Sequence, residues 1–82
     1  MAYELVFTKE FLELAGKLDK SIRLEVDRAV GKIKEKPEMG KPLHGAAGLF
    51  SERVKNFRIV YLLENGKIYL VKVGKRKNVY EP

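Results

Sequence analysis

Arg53, Arg58, Arg76 and Tyr80, all in the second half of the chain, are the residue types that chemistry on a phosphate asks for. A guanidinium presents planar, forked donors that match phosphate oxygens and keeps its charge at any working pH. Lys41, His44, Lys55, Lys75 and Lys77 add cationic or ionisable groups around them. Phe50, Phe57, Tyr61, Tyr69 and Tyr80 interleave with these cations, and stacking a base on such a ring contributes roughly 1–3 kcal/mol beside phosphate contacts. Phe50, Phe57 and Tyr61 fall in alternating strand patterns, where core packing explains them better. Tyr80 stands instead in the polar tail Lys77-Asn78-Val79-Tyr80-Glu81-Pro82.

The charge is segregated in the same way. Residues 1–40 hold eight Lys or Arg and eight Asp or Glu, whereas residues 41–82 hold nine and three, so the whole net charge of +6 lies in the second half. One basic face and a polyanionic partner are the expectation, with a plain solvated basic surface as the competing one. The absence of cysteine excludes disulfides, thiolate metal sites and a cysteine nucleophile. A single histidine cannot build an ordinary zinc site, and no cofactor motif is present, so metal-independent chemistry without a cofactor is expected. No apolar run approaches a membrane span, and no basic stretch leads into an apolar segment at the start. A soluble, cytoplasmic protein with no membrane partner is expected.

These residues must be held by a single small domain covering residues 1–82, since no linker or repeat divides the chain. Tyr3 to Phe7 alternates as a strand. Thr8 is placed to cap a helix carrying Phe11, Leu14, Ala15 and Leu18 on one face, and Asp19 or Ser21 to cap a second with Ile22, Val26, Ala29, Val30 and Ile33. Pro37 and Gly40 stop that helix, and a loop to Gly48 follows. Leu49 to Val54, Phe57 to Leu63 and Ile68 to Val73 read as strands. The order is β-α-α-β-β-β: an α+β domain with a helical hairpin packed on a mostly antiparallel, four-stranded sheet. Asn65-Gly66 is a strong type I′ hairpin signal and Lys55-Asn56 a poorer one. Two-residue loops there place Leu62 opposite Tyr69, Val60 opposite Val71, Arg58 opposite Val73, and Arg53 opposite Arg58. Opposed arginines repel, and an anion would relieve them. Gly74-Lys75-Arg76-Lys77 leaves the last strand at the Arg58 end, so a phosphate clamp of Arg53, Arg58 and Arg76 is weighed against chains splayed into solvent.

Three segments carry a family resemblance: Lys-Pro-Leu-His-Gly at 41–45, Arg53-Val54-Lys55-Asn56-Phe57-Arg58-Ile59-Val60-Tyr61, and Val73-Gly74-Lys75-Arg76-Lys77-Asn78-Val79-Tyr80. With the element order they resemble the RelE/ParE toxin superfamily over essentially the whole chain. The resemblance implies the toxin of a type II toxin-antitoxin pair, RelE-like, that cuts mRNA in the ribosomal A site by attack of a ribose 2′-hydroxyl on the neighbouring phosphate. Arg58 matches the arginine that stabilises the phosphorane, Arg76 the one that assists the leaving oxygen, and Tyr80 the tyrosine that stacks on or orients the substrate. Arg53 matches one of two basic strand residues; Ser51 stands at the other. Lys75 stands where many relatives carry histidine, which leaves the general base open among Lys55, Lys75 and Glu52. Glu52 falls on the opposite sheet face. Lys41, His44, Lys55, Lys75 and Lys77 are RNA contacts on this reading, with His44 where relatives meet ribosomal RNA; a surface-loop histidine is the alternative.

The implied partners are an acidic, RelB-like antitoxin, the ribosome and mRNA, with a toxin-antitoxin hetero-oligomer as the assembled form. ParE-like members share the fold and poison DNA gyrase, and a catalytically decayed RNA- or antitoxin-binding module is a third reading. A sheet with apolar residues on both faces and two helices on one is expected to leave a face for the antitoxin to cover.

Overall fold

The structure, a computed structural model, describes residues 3–75. The first strand, β1, is Glu4–Phe7, followed by helices α1 (Lys9–Gly16) and α2 (Lys20–Glu35) and a 3-10 turn at Pro37–Met39. Four strands complete the chain: β2 (Lys41–Pro42), β3 (Leu49–Val54), β4 (Phe57–Glu64) and β5 (Lys67–Lys75). They form one sheet in the order β1-β5-β4-β3-β2, antiparallel except where β1 runs parallel to β5. The sheet has five strands where four were expected. Lys41 and Pro42, read as loop, pair with Ser51 and Phe50 as a two-residue edge, too short to show any alternation in sequence.

Thr8 caps α1 as expected. Its hydroxyl accepts from the Phe11 N–H at 3.2 Å and donates to the Leu70 carbonyl at 2.8 Å, which fixes the helix start against β5. Asp19 occupies the N-cap of α2 without a side-chain bond. Phe11, Val26, Ala29, Val30 and Ile33 bury against Val54, Ile59, Tyr61, Ile68, Leu70 and Val73, and Leu14, Ala15, Leu18 and Ile22 pack at the margin. The helical stripes read from the sequence are therefore the core stripes.

The Asn65-Gly66 turn has positive φ at both residues, as a type I′ turn requires, and it sets Glu64 opposite Lys67 and Leu62 opposite Tyr69. The expected pairs further along are displaced. A bulge between Val60 and Tyr61 places Val60 opposite Lys72, Ile59 opposite Val73 and Arg58 opposite Gly74. One extra residue on β5, Val71, breaks the two-residue alternation there, and a bulge of this kind has no composition signal in an apolar run. Gly48, with φ +82°, lets its loop close on β4: a Cβ there would stand 2.5 Å from the Leu63 carbonyl oxygen. Among the described residues, the large apolar side chains that remain exposed are Phe7, Leu12, Leu24 and Met39. They lie on β1, the helices and the 3-10 turn; on the sheet face away from the helices Val60 is buried, and Val6, Leu62 and Tyr69 are half-buried.

Candidate functional site

The β3-β4 hairpin builds the site. Lys55 and Asn56 form its two-residue tip, with Lys55 at φ +55°. This register sets Arg53 opposite Arg58 and Ser51 opposite Val60, all on the face away from the helices, while Glu52, opposite Ile59, turns toward α2 with its carboxylate 3.9 Å from Lys32 Nζ. Arg53 is exposed and folds back so that its Nε donates to the Lys55 carbonyl at 3.2 Å. Arg58 is half-buried, and its Nε is buried with no hydrogen-bond partner among the described residues. An unsatisfied buried donor costs about 1–3 kcal/mol, more when the group is charged, so this atom favours an acceptor. A cavity of about 190 Å³ adjoins it, lined by Arg53, Lys55, Asn56, Phe57 and Arg58. Among the described residues three cations and no carboxylate line that space, which suits an anion with several oxygens.

The expected site residues divide into groups. Arg53, Arg58 and Lys55 come together at the tip. Lys41 pairs with Ser51, two positions along β3 from Arg53 on the same face. Lys75 reaches the tip end of the sheet but pairs with Phe57, which sets it on the face opposite Arg58. His44 is exposed in the loop that precedes Leu49, at the far end of β3 from the tip. Arg76, Lys77 and Tyr80 lie outside the described residues. Asn56 lines the cavity and was read only as a turn residue; an Asn beside a lysine at a hairpin tip carries no separate signal of a binding role. Gly74, now opposite Arg58, leaves that flank without a side chain.

The other ionisable group shaped by its surroundings is structural. Tyr61 is fully buried, stacks on Phe50 at 5.6 Å and donates its hydroxyl to the Pro37 carbonyl at 2.6 Å. Burial, and then the nearby Glu52 carboxylate, push its pKa up to about 12 against a smaller lowering by the Gly40 backbone. A larger cavity, about 590 Å³, runs between α2, the 3-10 turn and β3, but Lys32 and Lys36 there are balanced by Glu35 and Glu52. Among the described residues no group of three His, Cys, Asp or Glu could hold a metal, and no helix is long and apolar enough to cross a membrane.

The family model of the ParE toxin of type II toxin-antitoxin systems (parDE) matches residues 4–80. No curated protein sequence matches the chain. Among solved structures, the RelBE2 toxin-antitoxin complex of Mycobacterium tuberculosis has a chain 28% identical with a TM-score of 0.81, covering 93% of this chain and 100% of that one. The isolated RelE toxin of E. coli is 26% identical with a TM-score of 0.81, covering 96% and 92%. The intact E. coli RelBE toxin-antitoxin complex has a chain 25% identical with a TM-score of 0.80, covering 90% and 96%.

Proposed function

Because the chain belongs to the RelE/ParE-like toxins of type II toxin-antitoxin systems, we propose that its target is mRNA in the ribosomal A site, which it cuts as a metal-independent endonuclease. The observation that carries this reading is the opposed pair Arg53 and Arg58, with the buried Nε of Arg58, unpaired among the described residues, beside a cationic cavity. In the proposed reaction a ribose 2′-oxygen attacks the adjacent phosphorus and the P–O5′ bond breaks. The products are a 2′,3′-cyclic phosphate and a 5′-hydroxyl. Charge gathers on the phosphorane oxygens, where Arg58 stabilises it, and Arg53 holds the phosphate from the other strand. Arg76 assists the departing 5′-oxygen and Tyr80 stacks on the substrate. The 2′-hydroxyl proton needs an acceptor, and arginine is a poor one because its pKa exceeds about 12. Of the three candidates, Lys55 alone lines the Arg53–Arg58 cavity, so it takes that role as the neutral amine and, once protonated, returns the proton to the departing 5′-oxygen; Glu52 faces Lys32 and Lys75 pairs on the other face. Lys41, His44, Lys75 and Lys77 contribute RNA contacts outside the cavity.

An acidic, RelB-like antitoxin is the proposed protein partner. The M. tuberculosis RelBE2 and intact E. coli RelBE structures named above are toxin-antitoxin complexes, and a chain of net charge +6 favours an acidic partner.

Single-turnover cleavage on programmed ribosomes, with ribosome binding measured in parallel and free RNA as control, tests the reading. Cleavage at the A site by the wild type, lost in Arg58→Ala with binding retained, is the expected result. The family model is that of ParE toxins, which favours gyrase as the second reading. Inhibition of gyrase supercoiling by a protein that never cuts ribosome-bound mRNA would replace the first reading with the second.

A further inference from the structure

The two edges of the sheet are finished differently. At one edge β2 is two residues long, Lys41–Pro42, and both are residues that discourage strand pairing: a charge, and a ring with no N–H. At the other edge β1 is four residues, Glu4-Leu5-Val6-Phe7, with no proline and no lysine. Glu4 N–H and Thr8 N–H both donate into β5, to Gly66 and Leu70. Strand alternation therefore turns the N–H and C=O of Leu5 and Phe7 away from the sheet. Among the described residues nothing pairs with them. Phe7 is 44% exposed beside that edge, and Leu12 on the adjoining α1 is 56% exposed.

From this asymmetry we infer that β1 is a self-association edge, where a second copy of the chain adds its own β1 antiparallel and the two sheets become continuous. A two-fold axis at Val6 sets Leu5 of each copy opposite Phe7 of the other, so the outward amides of both residues exchange bonds. Phe7 then covers Leu5 of the second copy on the helix side of the sheet. Glu4 comes opposite Thr8 and next to Lys9 of the second copy, an acid–base approach that occurs twice by symmetry.

Charge segregation favours this occupant. β1 lies in residues 1–40, whose net charge is zero, so no like-charge repulsion acts at the edge. Three strand spacings separate β1 from β3, about 14 Å at about 4.8 Å each. Arg53 and Arg58 of one copy are farther still from the other copy, beyond the screening length of about 8 Å at physiological ionic strength. The hairpin tip stays open in such a dimer.

Sedimentation equilibrium of the free protein, followed from about 1 μM to about 1 mM, tests the inference. The wild type is expected to pass from the mass of one 9.4 kDa chain to that of two. Phe7→Pro removes an outward N–H and no bond to β5, and is expected to weaken association at least about tenfold. Glu4→Lys and Lys9→Glu should each weaken association severalfold, and the double exchange should restore it. Lys9→Glu places an acid in the first turn of α1, where it suits the helix dipole, so its effect on association is not one of unfolding. Circular dichroism and melting temperature accompany each variant. A protein monomeric throughout, a dimer unmoved by all three single changes, or a double exchange that fails to restore association would each overturn the inference, and a monomer throughout would leave the edge to another protein.

Discussion

Arg53 and Arg58 face each other directly across β3 and β4, yet their Nε atoms have opposite fates: one donates to the Lys55 carbonyl, the other is buried with no acceptor among the described residues. The folded protein holds a like-charge pair and an unsatisfied donor at one place, which is a local cost maintained at the proposed phosphate site. Arg58→Met keeps the packing stem and removes both. It is expected to raise stability in denaturant unfolding by about 1 kcal/mol at low salt, with a smaller gain at high salt, and to lower cleavage at least about 100-fold. A variant that is less stable and still active would contradict this account.

Arg76 and Tyr80 separate a nuclease from a binding module with the same charge. Arg76→Ala is expected to lower single-turnover cleavage by about 100-fold or more with ribosome affinity nearly unchanged, the pattern of a group used in the transition state. Tyr80→Ala should lose activity as well. Tyr80→Phe retains it where the ring stacks and loses it where the phenol acts. Arg58→Ala combined with Arg76→Ala should cost less than the sum of the two, since both serve one phosphate.

Tyr61 gives the fold an alkaline limit. Its pKa of about 12 in the folded state stands above the ordinary value of 10.0. Between those values the unfolded chain has released the proton and the folded chain has kept it. Unfolding then releases a proton, and stability falls as pH rises from about 10 to about 12. The loss due to this group is expected to reach about 3 kcal/mol. Tyr61→Phe should be less stable at neutral pH through loss of the bond to Pro37, and should show a shallower decline between those pH values when unfolding is followed in urea.

Two backbone positions respond in opposite directions. Gly48→Ala drives a methyl against the Leu63 carbonyl oxygen at a positive φ, and is expected to cost about 2 kcal/mol or more in stability. Lys55→Gly relieves the positive φ at the hairpin tip and is expected to gain up to about 0.5 kcal/mol while weakening cleavage, because the amine leaves the cavity. Thermal melts read the first effect of each variant, and a loss of stability in Lys55→Gly would show that the lysine side chain supports the hairpin.

Ribosome or RNA affinity should fall linearly with salt on logarithmic axes if several phosphates are contacted by the second half of the chain. Charge reversal of Lys17 and Lys20, in the neutral half, should leave the slope nearly unchanged, while Lys41→Ala should reduce it by about one. A flat plot for the wild type would remove the polyanion from the proposal.

The helices, the cap at Thr8 and both hairpin turns were legible because each rests on local chemistry: a period of 3.6, a hydroxyl before an apolar stripe, an Asn-Gly pair. The opposition of Arg53 and Arg58 followed from the length of the Lys55-Asn56 loop alone. Four features were not legible. β2 is held by its partner strand rather than by its own residues. The Val71 bulge lies inside an apolar run where every register buries something. Asn56 joins the cavity through the geometry of the tip, and Lys75 leaves it because the displaced register reverses its face.

The hydroxyl of Thr8 touches β5 at a residue 62 positions later in the chain. Together with the parallel pairing of β1 and β5, this means that the first strand has no sheet to join until β5 has been made. Loops of that length close late, and the parts that await closure stay open to solvent and to other chains. During synthesis α1 and α2 therefore wait beside an unfinished sheet, and the β3-β4 hairpin, whose contacts are local, forms before β1 is locked. The arginine tip rests on contacts within one hairpin, whereas the strand that closes the sheet depends on a partner far along the chain.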